Sequence, residues 1–281
     1  MTRILPLPTL DHVVINVRDR IDEAQDVFQR LGFSLTPRGY HSLGSMNHLA
    51  IFGTDYLELI AAPPGDTRRP EILASPEGLN GLVFGTEDSG GVYAALSTAG
   101  VPVLEPRQFT RPVDLGGRAE DATFRTVRLP EDGTVPDGRL YFCHHLTRHL
   151  VWRDEWRQHS NGAVAVARAV IMSHDPARWG SLFGRMFGSD AVLAIDGGCA
   201  LTVGLSRFEV VSPARLAALF GDAVGDAGGR TDMMAALTFR TTSLDRADAA
   251  LAAGGINAQR RADRIVVPAA GAFGAVLEFV G

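Results

Sequence analysis

Two side chains near the start of the chain have types that do chemistry together: His12 in LDHVVINV and Glu58 in YLELIAAP. Both stretches read as strands, so an imidazole and a carboxylate that are far apart in sequence can face one concave sheet. Each also has a plain structural reading. A histidine near a strand start can be a hydrogen-bonded core residue. A carboxylate on an otherwise apolar strand needs a partner, because an unpaired buried charge is costly, and a metal ion, an arginine or solvent would each serve. Further along, His144 and His145 stand side by side in LYFCHH. On a strand, adjacent residues face opposite sides, so only one can join the first two.

The elements that would position these residues recur. Leu10–Val17 is β-branched and apolar, as a strand should be. Ile21, Ala24, Val27, Phe28 and Leu31 follow at helical spacing and Gly32 stops the helix. Ser34–Leu43, Asn47–Phe52 and Tyr56–Ala61 are expected to be strands, the first bent at Pro37 and Gly39. The order is β-α-β-β-β. It returns from Leu82, with strands expected at Val103–Phe109, Thr123–Leu129 and Leu140–His145, and a charged flap-like loop at Thr110–Asp121. It returns again from Val164, with an added helix at Pro213–Phe220, and once more from Ala236. Cycles therefore begin near residues 10, 81, 164 and 236. The expected fold class is α+β: four βαβββ modules paired into two domains, 8–150 and 162–281. Trp152 and Trp156 have the spacing of one helix face and read as an interface plug.

Composition bounds the function. The 281 residues are 46% hydrophobic and 21% charged, which suits a soluble protein with a real core. A net charge of -5 and no long basic run argue against a nucleic-acid partner. All 27 basic side chains are arginine. Cys143 and Cys199 lack metal or redox spacing and read as free thiols of a cytoplasmic protein. No signal peptide or membrane span is expected; a homodimer is compatible with the sequence. There is no GxGxxG after a strand and no nucleophile elbow.

LDHVVINV, the helix after it and the YLELI strand resemble the vicinal oxygen chelate superfamily, which includes glyoxalase I, extradiol dioxygenases, and fosfomycin- and bleomycin-resistance proteins. The first half is most similar to its glyoxalase-like branch. FCHHLTRHLVWRDEWRQHSNGA also resembles a segment of many uncharacterised members. The resemblance implies glyoxalase/bleomycin-resistance/dioxygenase-like domains, with metal ligands on the first and fourth strands of a module. It assigns His12 and Glu58 to those places, and His145 (with His144 as the alternative) as the third ligand. Two histidines and a carboxylate would hold a divalent ion, Fe, Mn, Ni or Zn, and leave positions open for a chelating small-molecule substrate. The implied activity is a glyoxalase- or lyase-like isomerisation or a ring-opening dioxygenation, with Glu58 also catalytic. His48, Asn47, Tyr56 and Arg128 are the expected substrate contacts. His41, His149, His159 and His174 are expected at the surface. The C-terminal modules carry Glu209 and Glu278 on their last strands but no first-strand histidine, so that half is expected to lack metal, with Arg168 or Arg240 pairing the glutamates. The rival expectation is a metal-free protein that binds or sequesters a small molecule in the same cup.

Overall fold

A computed structural model describes residues 4–281. The first module runs β1 (Leu10–Asn16), α1 (Ile21–Arg30), β2 (Gly39–Tyr40), β3 (Met46–Ile51) and β4 (Tyr56–Ala61); a short helix α2 (Pro70–Ala74) follows. The second runs β5 (Gly78–Gly85), α3 (Ser89–Thr98), β6 (Arg107–Asp114), β7 (Ala119–Arg128) and β8 (Arg139–His145). Their strands form one mixed eight-stranded sheet in the order β2-β3-β4-β1-β5-β8-β7-β6. Each module contributes a parallel pair, β1 with β4 and β5 with β8, and β1 meets β5 antiparallel at the centre.

The remaining modules repeat the plan: β9 (Ala163–Ser173), α4 (Pro176–Phe187), β10 (Val192–Ile195), β11 (Gly198–Val203), β12 (Ser206–Val211) and α5 (Pro213–Phe220), then β13 (Asp232–Thr241), α6 (Leu244–Ala253), β14 (Gln259–Arg260), β15 (Arg264–Val267) and β16 (Val276–Val280). They form a second sheet in the order β10-β11-β12-β9-β13-β16-β15-β14. The fold is thus α+β, with two eight-stranded sheets each made of two βαβββ modules. No helix among the described residues is long and apolar enough to cross a membrane.

Strand alternation sorts the side chains. On β1 and β4, Val13, Ile15, Leu57 and Leu59 pack into the large core on the helix side, while Val14, Tyr56 and Ile60 join a separate cluster on the concave side. His12 and Glu58 share the parity of that second set. The large core is common to both halves: Phe33 meets Phe239 at 5.1 Å and Phe84 meets Phe187 at 5.0 Å between ring centres. The connecting stretch is fastened as well. His159 is buried, takes the Ser34 amide on Nδ1 and donates from Nε2 to the Ile51 carbonyl, so it is not a surface residue.

Three expectations about elements are corrected. Ser34–Leu43 supplies only the two-residue β2, since Pro37 has no N–H to offer a ladder. Arg107–Asp114 and Ala119–Arg128 form a long hairpin where a loop at Thr110–Asp121 was expected. Pro112 is tolerated because β6 is the sheet edge. Trp152 and Trp156 do not share a helix: Trp152 lies between two short 3-10 turns, and its ring packs on His145 at 4.8 Å and Tyr56 at 5.4 Å.

Candidate active site in the N-terminal cup

The register places the chemistry. His12 pairs with Tyr56 across β1 and β4, and Val14 with Glu58. The matching pairs in the second module are Gly81 with Arg139 and Val83 with Tyr141. The module symmetry therefore puts Gly81 opposite His12's role and Tyr141 opposite Glu58's. A side chain at Gly81 has no room, since a Cβ there would lie 2.9 Å from Val14 Cβ. The first and fourth strands thus offer the cup His12, Glu58 and a phenol.

His12 is held from both sides. A register irregularity between Leu10 and His12, of the kind a β-bulge makes, accompanies the turn of Asp11 toward the same ring. Asp11 Oδ1 lies 2.5 Å from His12 Nδ1 and 3.0 Å from His145 Nε2. Burial works against the Asp11 anion. The charge of His145 and hydrogen bonds from His12 and His145 outweigh it, and the carboxyl is held below its ordinary range. An ionised Asp11 accepts the Nδ1 proton, which leaves His12 Nε2 as the basic nitrogen. That nitrogen faces the cup, 3.0 Å from the Tyr141 hydroxyl and 3.7 Å from Glu58 Oε2. Tyr56 stacks on the imidazole at 4.4 Å. Burial pushes the Tyr141 phenol up, with Glu58 adding to it, so the phenol donates to Nε2.

Glu58 is buried yet ionised. Desolvation opposes its charge, but His12, His41 and the Asn47 amide at 2.6 Å hold its carboxyl below the usual value. His41 lines the same cup, 3.9 Å from Glu58 Oε1. Burial lowers it to about 4, so it is neutral at ordinary pH. The cup is a narrow cavity of about 50 Å³, walled by Leu49, Ile60, Phe109, Phe124 and Cys143. Burial keeps the Cys143 thiol protonated.

The expected ligand set is regrouped by these positions. His145 has the parity of Tyr141 and Cys143, whereas His144 is on the opposite side of β8. The side chains that converge are Asp11, His12 and His145, whose potential ligand atoms all lie within 4.8 Å of one another. Glu58, the carboxylate of the expected set, faces His12 Nε2 from the cup, while Asp11 lies on the Nδ1 side and bonds His145. Sequence reading passed over Asp11 because it precedes His12, and strict alternation would send it to the other face.

Among the expected substrate contacts, Asn47, Tyr56 and Arg128 line the cup. His48 does not: it is directed to the helix side, where Nδ1 bonds the Thr36 carbonyl at 2.8 Å and Arg38 approaches Nε2. His41, expected at the surface, lines the cup instead; His149 and His174 are exposed. Arg69, Arg107, Arg111 and Arg139 also line it and were not singled out. Arg111 was hidden by the loop expected at Thr110–Asp121.

In the second sheet the same register positions hold Arg168, Glu209, Ala236 and Glu278. Arg168 bonds Glu209 at 3.2 Å and Glu278 at 2.7 Å, and Arg264 adds a bond of 3.0 Å to Glu278. Arg168 thus bridges the two last-strand glutamates. Arg240 is exposed and takes no part.

The comparisons agree with this architecture. No curated protein sequence matches the chain. Among solved structures, a hypothetical protein from Staphylococcus aureus superposes with a TM-score of 0.66 at 14% identity, covering 97% of this chain and 99% of that one. A mutant of 4-hydroxymandelate synthase from Streptomyces coelicolor gives 0.62 at 12% identity, covering 98% and 93%. A xylose isomerase-like TIM barrel/4-hydroxyphenylpyruvate dioxygenase fusion protein gives 0.58 at 13%, covering 99% of this chain and 49% of the other. At these identities the likeness is one of fold. The family model for the glyoxalase-like domain matches residues 10–187, more than half of the chain, and the protein belongs to the glyoxalase-like domain family.

Proposed function

We propose that the chain is an enzyme that binds a small oxygen-bearing molecule in the N-terminal cup and moves a proton on it, with His12 as the base. The observation that carries this reading is the Asp11–His12 pair. The carboxylate fixes the Nδ1–H tautomer and stabilises the imidazolium that forms, while Nε2 faces the cup beside Glu58 and Tyr141. His12 takes a proton from the carbon next to a carbonyl. Tyr141, whose hydroxyl is 3.0 Å from the same nitrogen, turns its O–H to the developing oxyanion, and the His12 imidazolium gives the proton back at the neighbouring carbon. Glu58 favours the positive charge on His12. This is isomerase- or lyase-type chemistry, in line with the glyoxalase-like family.

A divalent ion is supported at a different place from the one expected. In the cup, His12 and His41 approach opposite oxygens of Glu58, at 3.7 and 3.9 Å, and the three do not converge on one point as closely as the cluster behind the ring. Asp11, His12 and His145 have the two-histidine, one-carboxylate composition, are buried, and converge. They would hold the ion on the Nδ1 side of the ring, away from the cup and in place of the Nδ1–H bond to Asp11, where it would lock the orientation of the imidazole; the base role of Nε2 belongs to the metal-free form. Thermal shift with Zn, Ni or Mn chloride separates the two placements. Asp11→Ala and His145→Ala should abolish the metal-dependent rise in Tm, and Glu58→Gln should keep it. The reverse pattern would put the ion in the cup.

Proton transfer is tested without knowing the product. The protein is incubated in D2O with a panel of small α-hydroxy and α-oxo compounds, charged and neutral, and carbon-bound deuterium is read by NMR. Exchange is expected with at least one compound, and its loss in His12→Gln. Binding without exchange, at an affinity that His12→Gln leaves intact, would favour the metal-free binding protein instead.

A further inference from the structure

The cup carries more positive charge than its chemistry uses. Arg69, Arg107, Arg111, Arg128 and Arg139 line it, against the single carboxylate of Glu58. Three are deeply buried: Arg111 is 2% exposed, Arg139 5% and Arg69 8%. Arg69 has partners in Glu71 and Ser45. Arg111 has no carboxylate within ion-pair distance among the described residues, and its Nε and Nη2 bond nothing. Arg139 spends Nε on Asn80 at 3.0 Å and leaves Nη2 without a partner. Arg128 faces the Tyr141 ring at 5.5 Å. Burial works against the charge of both Arg111 and Arg128. An unpaired buried guanidinium is destabilising, and proteins keep such a group where a ligand completes it.

Shape narrows the ligand. A water needs roughly 10–15 Å³ of this kind of space, so about 50 Å³ takes something the size of about four waters. The fork of a guanidinium matches the two oxygens of a carboxylate. We infer that the cup takes a short-chain carboxylic acid as its anion, with the carboxylate held by Arg111 and Arg139 and the reacting carbon turned to His12. This rests on the cup being the ligand site; it does not require that His12 turn the ligand over.

The test is calorimetric titration of the full chain at low salt with oxalate, malonate, inorganic phosphate and the neutral malonamide. At least one carboxylate should bind, at least tenfold more tightly than malonamide. Arg111→Met should weaken it tenfold or more while raising the Tm of the free protein, since it removes an unpaired buried charge. Arg139→Gln is the second variant, with the same loss of binding expected, and Arg125→Gln, half-buried and outside the cup lining, is the control that should bind as wild type. Phosphate binding in preference to both carboxylates, equal binding of malonamide, or unchanged affinity in both variants would overturn the assignment. Carboxylate binding with no deuterium exchange anywhere would leave this inference standing and sink the proton-transfer reading alone.

Discussion

At the scale of single residues, His12 is defined by its two neighbours more than by its own type. Asp11 fixes one nitrogen, and the other is left to Tyr141 and Glu58. The type and strand position of His12 and Glu58 were legible in the sequence, because an imidazole and a carboxylate interrupt apolar strands. Asp11 was not, since its orientation depends on a local irregularity that alternation does not foresee. Gly39 is a quieter case. A Cβ there would run into Arg111 and come within 2.5 Å of Asn47 Oδ1, so the missing side chain is what lets both polar groups reach the cup. Gly39→Ala should therefore weaken carboxylate binding in the same titration by about as much as Arg111→Met, with Tm falling little. Full binding in Gly39→Ala would mean that Arg111 is not held from this side.

At the scale of elements, the hairpin of β6 and β7 decides what kind of molecule the cup accepts. It brings Arg107, Arg111 and Arg128 to the rim and wall of a site whose centre is built by β1, β4 and β8. The helices, the central strands and the fourfold order could be read from periodicity and glycine stops. The hairpin could not, because Pro112 and the run of charges around it carry the signature of a loop. An edge strand with one face on the cup needs only alternate residues to be buried, and Arg111 and Val113 are those residues. In the second sheet it is the central strands that close the cup, with Arg168 of β9 between Glu209 of β12 and Glu278 of β16. Module duplication thus ended in one cup with cations in search of an anion, and one already neutralised.

At the scale of the molecule, the two sheets share one core, and the seam between them contains a titrating group. Asp55 Oδ1 accepts from the Val166 amide at 2.8 Å, tying the turn before β4 to β9. Burial raises Asp55 to about 7, only partly offset by the Val166 and Thr54 hydrogen bonds. A carboxyl raised in the folded state contributes stability that is full below its ordinary pKa and is lost as pH rises through about 7. Asp55→Asn, which keeps an acceptor for Val166, should be neutral at pH 4 and stabilise at pH 8 by on the order of 2–4 kcal/mol. Chemical unfolding at the two pH values reads this directly, and equal effects at both would contradict it. Such a seam joins distant residues, so nothing in the local pattern around Asp55 announced it. In the proposed reaction the Asp11–His12 pair moves the proton through Nε2, which faces the cup. The most direct measurement is the rate of deuterium incorporation from D2O into the best compound of the panel, compared across three variants. Exchange should be abolished in His12→Gln, slowed at least tenfold in Asp11→Asn, and changed less in Glu58→Gln. Exchange that survives in His12→Gln and disappears in Glu58→Gln would contradict this role for His12 and make the glutamate the base.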